Sequence, residues 1–340
     1  MKGLGLIDKL IVFINSVFAL CLLLSLLVLY IPPERFPLLS VLSLVVSPLL
    51  VINVIFFLFW LLRVKKQLFL SLFVLVVCFV QFNKFYQFDF SKKPNTHENH
   101  LKVMSYNVRI FNLYHWIEED NLQQKLEDFI KKENPDVISF QEYYSKTKVS
   151  LTQFPYKYIK LQGESPSFGQ AIYSKYPIIN SGSLDFKNTG NNAIFADIVK
   201  EKDTIRLYNI HLESLQINQD DVDFKQEASK RLFRRIAASF KIQQNQINQV
   251  VAHKNHSKFK TIITADLNNT AFSYVYRKLK GNMKDAFSES GKGLGKTYTV
   301  KKIPLRIDFI LTDEELTVEK FNTHTVHYSD HFPISAVLSW

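Results

Sequence analysis

The feature that most constrains the fold of this chain is its apolar first quarter, which begins with an uncharged run at Leu10–Ile31. A run of this length can cross the hydrocarbon core of a bilayer as one helix. Two more apolar runs follow it, and the first is long for a signal peptide, so a cleaved signal peptide is disfavoured. We predict three transmembrane helices at about 10–31, 38–62 and 67–86. The alternative is two spans and a third segment that is buried or lies at the interface.

The charges around these runs predict an orientation, because Lys and Arg are enriched in cytoplasmic loops. Lys2 and Lys9 precede the first run, and Arg63, Lys65 and Lys66 follow the second. The N-terminus is therefore expected in the cytoplasm. The remainder of the chain is expected on the outer, periplasmic side of the inner membrane, as part of a multi-pass protein. Three lysines on the outer side oppose this orientation: Lys84, Lys92 and Lys93.

The composition changes near residue 95, and from there the chain resembles a soluble domain that is large enough to bury a full core. We assign residues 1–90 to a membrane region, 91–100 to a short tether and 101–340 to the soluble domain. After Lys93 there are 33 Lys and Arg against 28 Asp and Glu, an excess that permits an anionic substrate without requiring a polyanion. Both cysteines, Cys21 and Cys78, lie in apolar runs, which excludes a disulfide or a thiolate zinc site in the soluble domain.

Short apolar runs alternate with a few segments of helical spacing in the soluble domain. We predict helices at 121–132 and 224–254, and strands at 101–108, 137–140, 169–174, 193–199, 204–210, 261–265, 307–311 and 334–338. This order predicts an α/β sandwich with helices outside the sheets. Polar clusters stand at the ends of these strands, so their side chains are expected to converge on one rim of a sheet.

Carboxylate and amide side chains in these clusters have the chemistry of a magnesium or manganese site. Glu142 and Asn107 each end a predicted strand, and hard cations prefer oxygen ligands. Taken alone, they also fit an exposed glutamate and a turn asparagine. Asp266 and Asn268 are one residue apart and so face the same side of an extended segment. The aspartate could activate water or contact a metal and the asparagine could bind a phosphate oxygen; an Asx-rich loop is the alternative.

Two histidines supply groups that can stabilise negative charge on a phosphoryl group. His211 ends a strand, and Asn209 beside it could donate across the site or cap the strand. His331 needs a partner that fixes its tautomer, and Asp308, one strand away, could be that partner. A structural histidine, and a turn that ends in Asp-His before Pro333, are the alternatives.

In this order the clusters resemble the motifs of the endonuclease/exonuclease/phosphatase superfamily, which has the DNase-I-like fold. The resemblance runs from about Lys102 to Trp340. The matching segments are Met104–Asn107, Phe140–Glu142, Gly169–Pro177, Tyr208–Leu212, Ala265–Asn268, Arg306–Ile310 and Ser329–Pro333. One departure is Ala265, which stands where the family usually has a glycine; the change removes no functional group.

The resemblance implies a four-layer α/β sandwich, preceded here by the transmembrane region, that cleaves phosphoesters with Mg²⁺ or, as a possible substitute, Mn²⁺. By position in the motifs, Glu142 is the main metal ligand and Asn107 lies beside it. Asp330 contacts the metal or a water molecule. Whether one metal ion or two take part stays open at this point.

The resemblance also assigns roles in the reaction. Asp266 orients or deprotonates the attacking water, and Asn268 holds the phosphate. His211 and His331 stabilise the pentacoordinate state, with Asp308 supporting His331. Whether His331 acts as a base or as an electrostatic clamp stays open.

Neither the fold nor these motifs select a substrate. A distinctive insertion after His211 comprises Glu213–Asp223 and the basic helix Lys225–Lys254, where Arg234 and Arg235 could bind a polyanionic substrate or form a solvated helix face.

Three functions are considered. The first hypothesis is a phosphodiesterase or phosphatase that acts on lipid headgroups or small phosphoesters at the membrane. The second is an extracytoplasmic nuclease that cleaves DNA or RNA. The third is a noncatalytic membrane scaffold.

Overall fold

The computed structural model describes residues 4–88, 99–163, 167–216, 226–300 and 303–340. Its helices are α1 (Leu6–Val28), α2 (Val46–Leu62), α3 (Leu68–Phe79), α4 (Leu122–Glu133), α5 (Gln226–Asn255), α6 (Tyr274–Lys280) and α7 (Ala286–Ser290). Its strands are β1 (His100–Asn107), β2 (Val137–Tyr144), β3 (Tyr156–Gln162), β4 (Phe168–Ser174), β5 (Ile178–Ser183), β6 (Asn192–Lys200), β7 (Asp203–His211), β8 (Lys260–Asp266), β9 (Lys284–Asp285), β10 (Tyr298–Val300), β11 (Ile303–Leu305), β12 (Asp308–Thr312), β13 (Thr317–Thr323) and β14 (Ile334–Ser339).

The strands form two six-stranded sheets and one small hairpin. The first sheet has the order β13-β14-β1-β2-β4-β3 and the second has the order β5-β6-β7-β8-β12-β9. The central pairs β1·β2 and β7·β8 are parallel, whereas β12 runs antiparallel to β8. The hairpin β10·β11 stands apart from both sheets.

The two sheets pack face to face and each has helices on its outer face. Aliphatic side chains of both sheets fill the space between them, among them Val103 and Ile172 from the first and Leu207 and Ile262 from the second. On the outside, α4 covers the first sheet through Ile130, while α5 and α6 cover the second. The predicted four-layer α/β sandwich is therefore confirmed.

The apolar first quarter is a set of helices whose lengths differ from the predicted spans. Within the described part of the chain, α1 is the one helix that is long and apolar enough to cross a membrane. The predicted span 38–62 divides into a 3-10 turn, Leu39–Leu44, and the shorter α2, because Val45 leaves helical geometry at φ −110° and ψ 11°. The predicted span 67–86 contains α3, which ends at Phe79.

This N-terminal region packs directly against the sandwich. Ser43 donates to the Asn269 carboxamide at 3.1 Å, and Thr270 donates to the Ser43 carbonyl at 2.7 Å. Phe272 is buried in the same apolar cluster as Ala19 and Leu49 of the helices. The proposed tether, 91–100, falls mostly outside the described residues, and the contacts on either side of it hold the two parts together.

Candidate active site

The predicted site residues lie where neighbouring strands end. Because β7 and β8 are parallel, their last residues, His211 and Asp266, are register partners. Asp308 begins β12 and is the partner of Asp266 on the other side, because β12 is antiparallel to β8. Asn107 ends β1 in the facing sheet. Strand direction and register therefore bring these four side chains to one rim of the sandwich.

The buried Asp266 carboxylate is the centre of this cluster. Its Oδ2 accepts a hydrogen bond from Asn107 Nδ2 at 2.9 Å and lies 3.6 Å from His211 Nε2 and 3.7 Å from His331 Nε2. Its Oδ1 accepts from the Asn268 backbone amide at 2.9 Å. One oxygen atom thus faces three nitrogen atoms from three different elements, while the other oxygen is held by the loop that follows β8.

Glu142 reaches the site because β2 is irregular at this point. The pairing of β2 with β4 shifts register between Phe140 and Tyr143, and Glu142 itself has a positive φ of 51°. Bulges of this kind redirect a side chain, and a positive φ is unfavourable for a residue with a Cβ atom. The redirected carboxylate accepts from Asn107 Nδ2 at 3.1 Å, and Asn107 Oδ1 accepts from the Arg109 amide.

His331 and Asp308 form a buried pair, as the sequence suggests. Asp308 Oδ2 lies 2.9 Å from His331 Nδ1, which leaves Nε2 directed at Asp266. Burial acts to lower the pKa of His331, but the carboxylates of Asp308 and Asp266 outweigh it and hold this pKa well above its usual range. The two carboxylates thus favour the protonated ring, which can donate from Nε2 to a phosphoryl oxygen.

Two residues of the cleft, Arg109 and Tyr298, are not predicted from the sequence. The Arg109 guanidinium lies 3.4 Å from the Asp330 carboxylate and 4.4 Å from the centre of the Trp116 ring. The Tyr298 ring packs 4.8 Å from the His331 ring. Burial, with Asp330 adding to it, raises the pKa of Tyr298 to about 12, so its phenol stays protonated. Their only sequence signal is an arginine two residues after Asn107 and a tyrosine in a short strand.

Asn268 lines the cleft with a positive φ of 47°, a conformation that asparagine tolerates better than most residues. Its side-chain amide donates to the Leu212 carbonyl at 3.0 Å, which ties the loop after β8 to the end of β7. Its role in holding phosphate stays a prediction.

Asn209 lies beneath the cleft, not in it. Its side chain is fully buried; Nδ2 donates to the carbonyls of Phe140 and Ala171, and Oδ1 accepts from Gln141 at 2.7 Å and Gln170 at 3.3 Å. Every hydrogen-bonding position of this amide faces protein, so direct contact with a substrate, as predicted, would require the network to open. As placed, Asn209 joins the two sheets below the site.

Replacing Asn209 by alanine should destabilise the fold. The substitution removes four buried hydrogen bonds, each of which contributes about 0.5–1.5 kcal/mol. Gln141 keeps its bond to Ser105 Oγ, and Gln170 keeps its bond to the backbone carbonyl of residue 209. We expect a loss of about 3 kcal/mol or more, seen as a lower Tm of the full chain by circular dichroism. Asn245→Ala is the matched control, because Asn245 lies exposed on α5 and should change the Tm little. Equal Tm values for the two variants would show that the network adds nothing.

The structure does not bring Arg234 and Arg235 to this cluster. Both lie on α5, Arg234 exposed and Arg235 half-buried, and neither is among the described residues that line the cleft. The neighbouring Ile236 and Phe240 instead pack near Val41 and Leu44 of the N-terminal region. The contact of Arg234 and Arg235 with a substrate stays a prediction. Residues 217–225, most of the predicted Glu213–Asp223 insertion, lie outside the described residues.

The donor set suits a hard divalent cation. Glu142 and Asp266 both turn carboxylate oxygens toward one amide nitrogen of Asn107, and Asp266, Asp308 and His331 present ligand atoms that lie within 4.8 Å of one another. Carboxylates at this spacing repel each other unless a cation lies between or beside them. The carboxylate oxygens of Glu142 and Asp266 fit Mg²⁺ or Mn²⁺ better than a soft metal.

The cleft above these residues has a volume of about 720 Å³. Its polar lining includes Arg109, Glu142, Asn268, Asp330 and His331. Its apolar lining includes Leu44 and Val45 of the N-terminal region together with Ile303 and Leu305 of β11. Both parts of the chain thus line the cleft, and they give it charged and hydrocarbon wall residues.

Comparison with known proteins adds two family matches and several structural ones. A model described as the Endonuclease/Exonuclease/phosphatase family matches residues 104–331, and a domain of unknown function (DUF8431) matches residues 8–85. No match was found among curated proteins.

Solved structures share the fold over most of this chain. TDP2 of D. rerio, complexed with a single-strand DNA product, has a TM-score of 0.54 at 16% identity, covering 72% of this chain and 100% of its own. The human nocturnin catalytic domain with a bound sulfate anion gives 0.53 at 15% identity, covering 73% and 99%. An endonuclease/exonuclease/phosphatase from Bacteroides vulgatus gives 0.52 at 18% identity, covering 71% and 99%. At these identities the likeness establishes the fold alone.

Proposed function

This chain belongs to the endonuclease/exonuclease/phosphatase family, and from that premise we propose that it is a magnesium-dependent phosphodiesterase or phosphatase that works at a membrane surface. The observation that carries the proposal is the Asp266 carboxylate, which faces Asn107, His211 and His331 through a single oxygen atom. A carboxylate held among imidazoles at the rim of a cleft suits the attack of water on a phosphoester.

The proposed reaction adds water across a P–O bond. Asp266 would orient the water and accept its proton, the water oxygen would bond to phosphorus, and the ester oxygen would leave. His211 and the cationic His331 would donate to the phosphoryl oxygens as charge develops on them, with Asp308 holding the His331 ring.

Glu142, with Asn107 and Asp330 beside it, would hold the metal ion. Mg²⁺, or Mn²⁺ in its place, would polarise the phosphoryl oxygen and neutralise part of its charge. Arg109 would keep Asp330 in position, because its guanidinium already pairs with that carboxylate at 3.4 Å.

Exposed apolar side chains on the N-terminal helices support attachment to a membrane. Of the 34 large apolar side chains exposed in the described residues, 25 lie before residue 89. Apolar surface on this scale is a liability in water and is typical of contact with lipid or a partner. Of these helices α1 is long enough to cross a bilayer by itself, and we propose that α2 and α3 lie in the membrane beside it.

The contacts of the helices also indicate an orientation. Asp8 near the start of α1 forms an ion pair with Arg63 after α2, so these ends lie together. At the other end, Glu34 and Ser43 contact the sandwich. The basic residues that favour the cytoplasm thus lie at the end of the bundle away from the sandwich.

A reporter fused after Trp340 is expected to be active only outside the cytoplasm. The fusion can be compared in parallel with a reporter placed after Lys66, which should be active only inside. A cytoplasmic signal from the Trp340 fusion would overturn the proposed topology.

A nuclease is the second candidate, and one observation favours it. Tyr114 and Trp116 are exposed and pack edge to face 5.1 Å apart, and Trp116 lines the cleft, where a base could stack. Against it, Arg109 is the one Lys or Arg among the described residues that line the cleft, and it is already paired. Binding along a nucleic acid backbone needs several such residues.

A substrate panel tests the proposal. The full chain in detergent, with Mg²⁺ and separately with EDTA, should be given bis-p-nitrophenyl phosphate, phospholipids, sphingomyelin, plasmid DNA and RNA. We expect turnover of a phosphodiester that EDTA abolishes. No turnover of any phosphoester with Mg²⁺ or Mn²⁺ would refute the proposal, and turnover of nucleic acid alone would favour the nuclease.

A further inference from the structure

An apolar cavity of about 380 Å³ lies beside the catalytic cleft. It is lined by Pro48, Val51 and Ile52 of α2 on one side and by Phe272 and Leu294 on the other. The cavity and the cleft share two wall residues, Ile303 and Leu305 of β11. Because both spaces touch the same side chains, the cavity and the cleft are neighbours that meet at β11.

The cavity also borders a further apolar space within the helical bundle. A third space of about 350 Å³ lies among α1, α2 and α3 and shares Val51, Phe85 and Phe272 with it. Its other walls are aliphatic, including Leu26 and Leu50. We call the cavity and this third space together the apolar channel. The channel lies between β11, in the wall of the cleft, and side chains that we propose lie in the membrane.

The channel and the cleft differ in polarity along their length. Charged side chains of the site, Glu142, Asp330 and His331, lie at the cleft end. Among the described residues that line the channel, the charged ones are Lys84 and Arg306, and Arg306 is already paired with Asp285 at 2.8 Å. A ligand that fits both spaces therefore has a charged end and a long uncharged end.

We propose that the apolar channel binds the hydrocarbon chain of a lipid whose phosphoester lies at Asp266 and His331. This inference rests on the proposed hydrolase function and deepens it, because it assigns the substrate class to lipid phosphoesters. Burial of each methylene group removes apolar surface from water, which gives the enzyme a reason to prefer a long chain. The wall formed by Leu44 and Val45 explains why the N-terminal region packs at the cleft.

Two substrates that differ only in chain length test the proposal. These are p-nitrophenyl methyl phosphate and p-nitrophenyl dodecyl phosphate, which have the same diester and the same leaving group. The full chain, in a fixed concentration of one detergent, is assayed for p-nitrophenolate release with each diester below its critical micelle concentration. We expect kcat/KM to be at least tenfold higher for the dodecyl diester.

Two variants test whether the apolar channel causes the preference for the dodecyl diester. Leu294→Glu puts a charge at the channel wall, away from the cleft, and should lower the dodecyl-to-methyl ratio of kcat/KM at least fivefold. This ratio is independent of the fraction of folded enzyme. Ile179→Glu is the matched control, because Ile179 is similarly exposed on β5 and lines neither the cleft nor the channel. It should leave the ratio unchanged.

The outcomes separate this inference from the proposed function. Equal kcat/KM values for the two diesters, or a preference that Leu294→Glu leaves intact, would refute the lipid channel while the hydrolase function stands. If neither diester is cleaved, the proposed function fails and the inference falls with it. Faster cleavage of single-stranded DNA than of the dodecyl diester, insensitive to Leu294→Glu, would also overturn it.

Discussion

Replacing Asp266 by asparagine is expected to lower kcat by roughly 10³-fold or more, because a general base contributes about 10²–10⁴-fold to a hydrolysis. The carboxylate accepts from Asn107 Nδ2 and from the Asn268 amide, and it faces two imidazoles. An asparagine that keeps the Asn268 contact turns its NH₂ group toward the Asn107 NH₂ group, where two donors meet. The variant therefore loses the negative charge and also the position of the side chain.

The measurement is steady-state hydrolysis of bis-p-nitrophenyl phosphate at saturating Mg²⁺, with near-UV circular dichroism to establish folding. Asp185→Asn is the control, because Asp185 is an exposed carboxylate that pairs with Lys160 on the surface. It should retain wild-type kcat. If Asp266→Asn stays within tenfold of wild type while folded, Asp266 is not the base and the mechanism must be reassigned.

Glu142→Gln should raise the Mg²⁺ concentration for half-maximal activity by about 10–100-fold or more. Replacing even a residue that only hydrogen-bonds to a metal ligand typically weakens metal binding by about that factor. The exchange keeps the shape of the side chain but removes the charge of the proposed main metal ligand. Activity at low Mg²⁺ should fall steeply and recover in part at high Mg²⁺. This recovery distinguishes a weakened metal site from a lost catalytic group.

Glu201→Gln is a matched control for this experiment. Glu201, like Glu142, has a positive φ (55° against 51°), but it lies exposed in the turn between β6 and β7. The same chemical change in the same backbone conformation should leave the Mg²⁺ dependence unaltered. An identical Mg²⁺ titration for Glu142→Gln and wild type would remove Glu142 from the metal site.

The sequence predicts the central part of the fold well, and the structure shows why. Each predicted strand matches an observed one to within a few residues, because the central strands are buried on both faces and appear as continuous apolar runs. The strands that are missed are the sheet-edge strands β3, β5, β9 and β13 and the two strands of the hairpin, β10 and β11. None of them is fully buried along its length. Without a continuous apolar run, such strands give a weak signal.

Much of the candidate site follows from the rule that polar side chains at strand ends converge. Asn107, His211, Asp266, Asp308 and His331 meet as expected. The sequence could not show that Asn209 points between the sheets, since that depends on how the facing sheet is placed. Nor could it predict that Leu44 and Val45 line the cleft, since they belong to a segment more than 200 residues away from Asp266 in the sequence.

The register of β7, β8 and β12 has a consequence for how such an enzyme can change over generations. Because His211, Asp266 and Asp308 are partners across three strands, inserting or deleting one residue inside any of them would turn the side chains to the opposite face. Residues of the cleft wall outside these strands and beyond Asn268 carry no such register restriction. Natural variation is therefore free to reshape the walls of the cleft while these three side chains stay where they are.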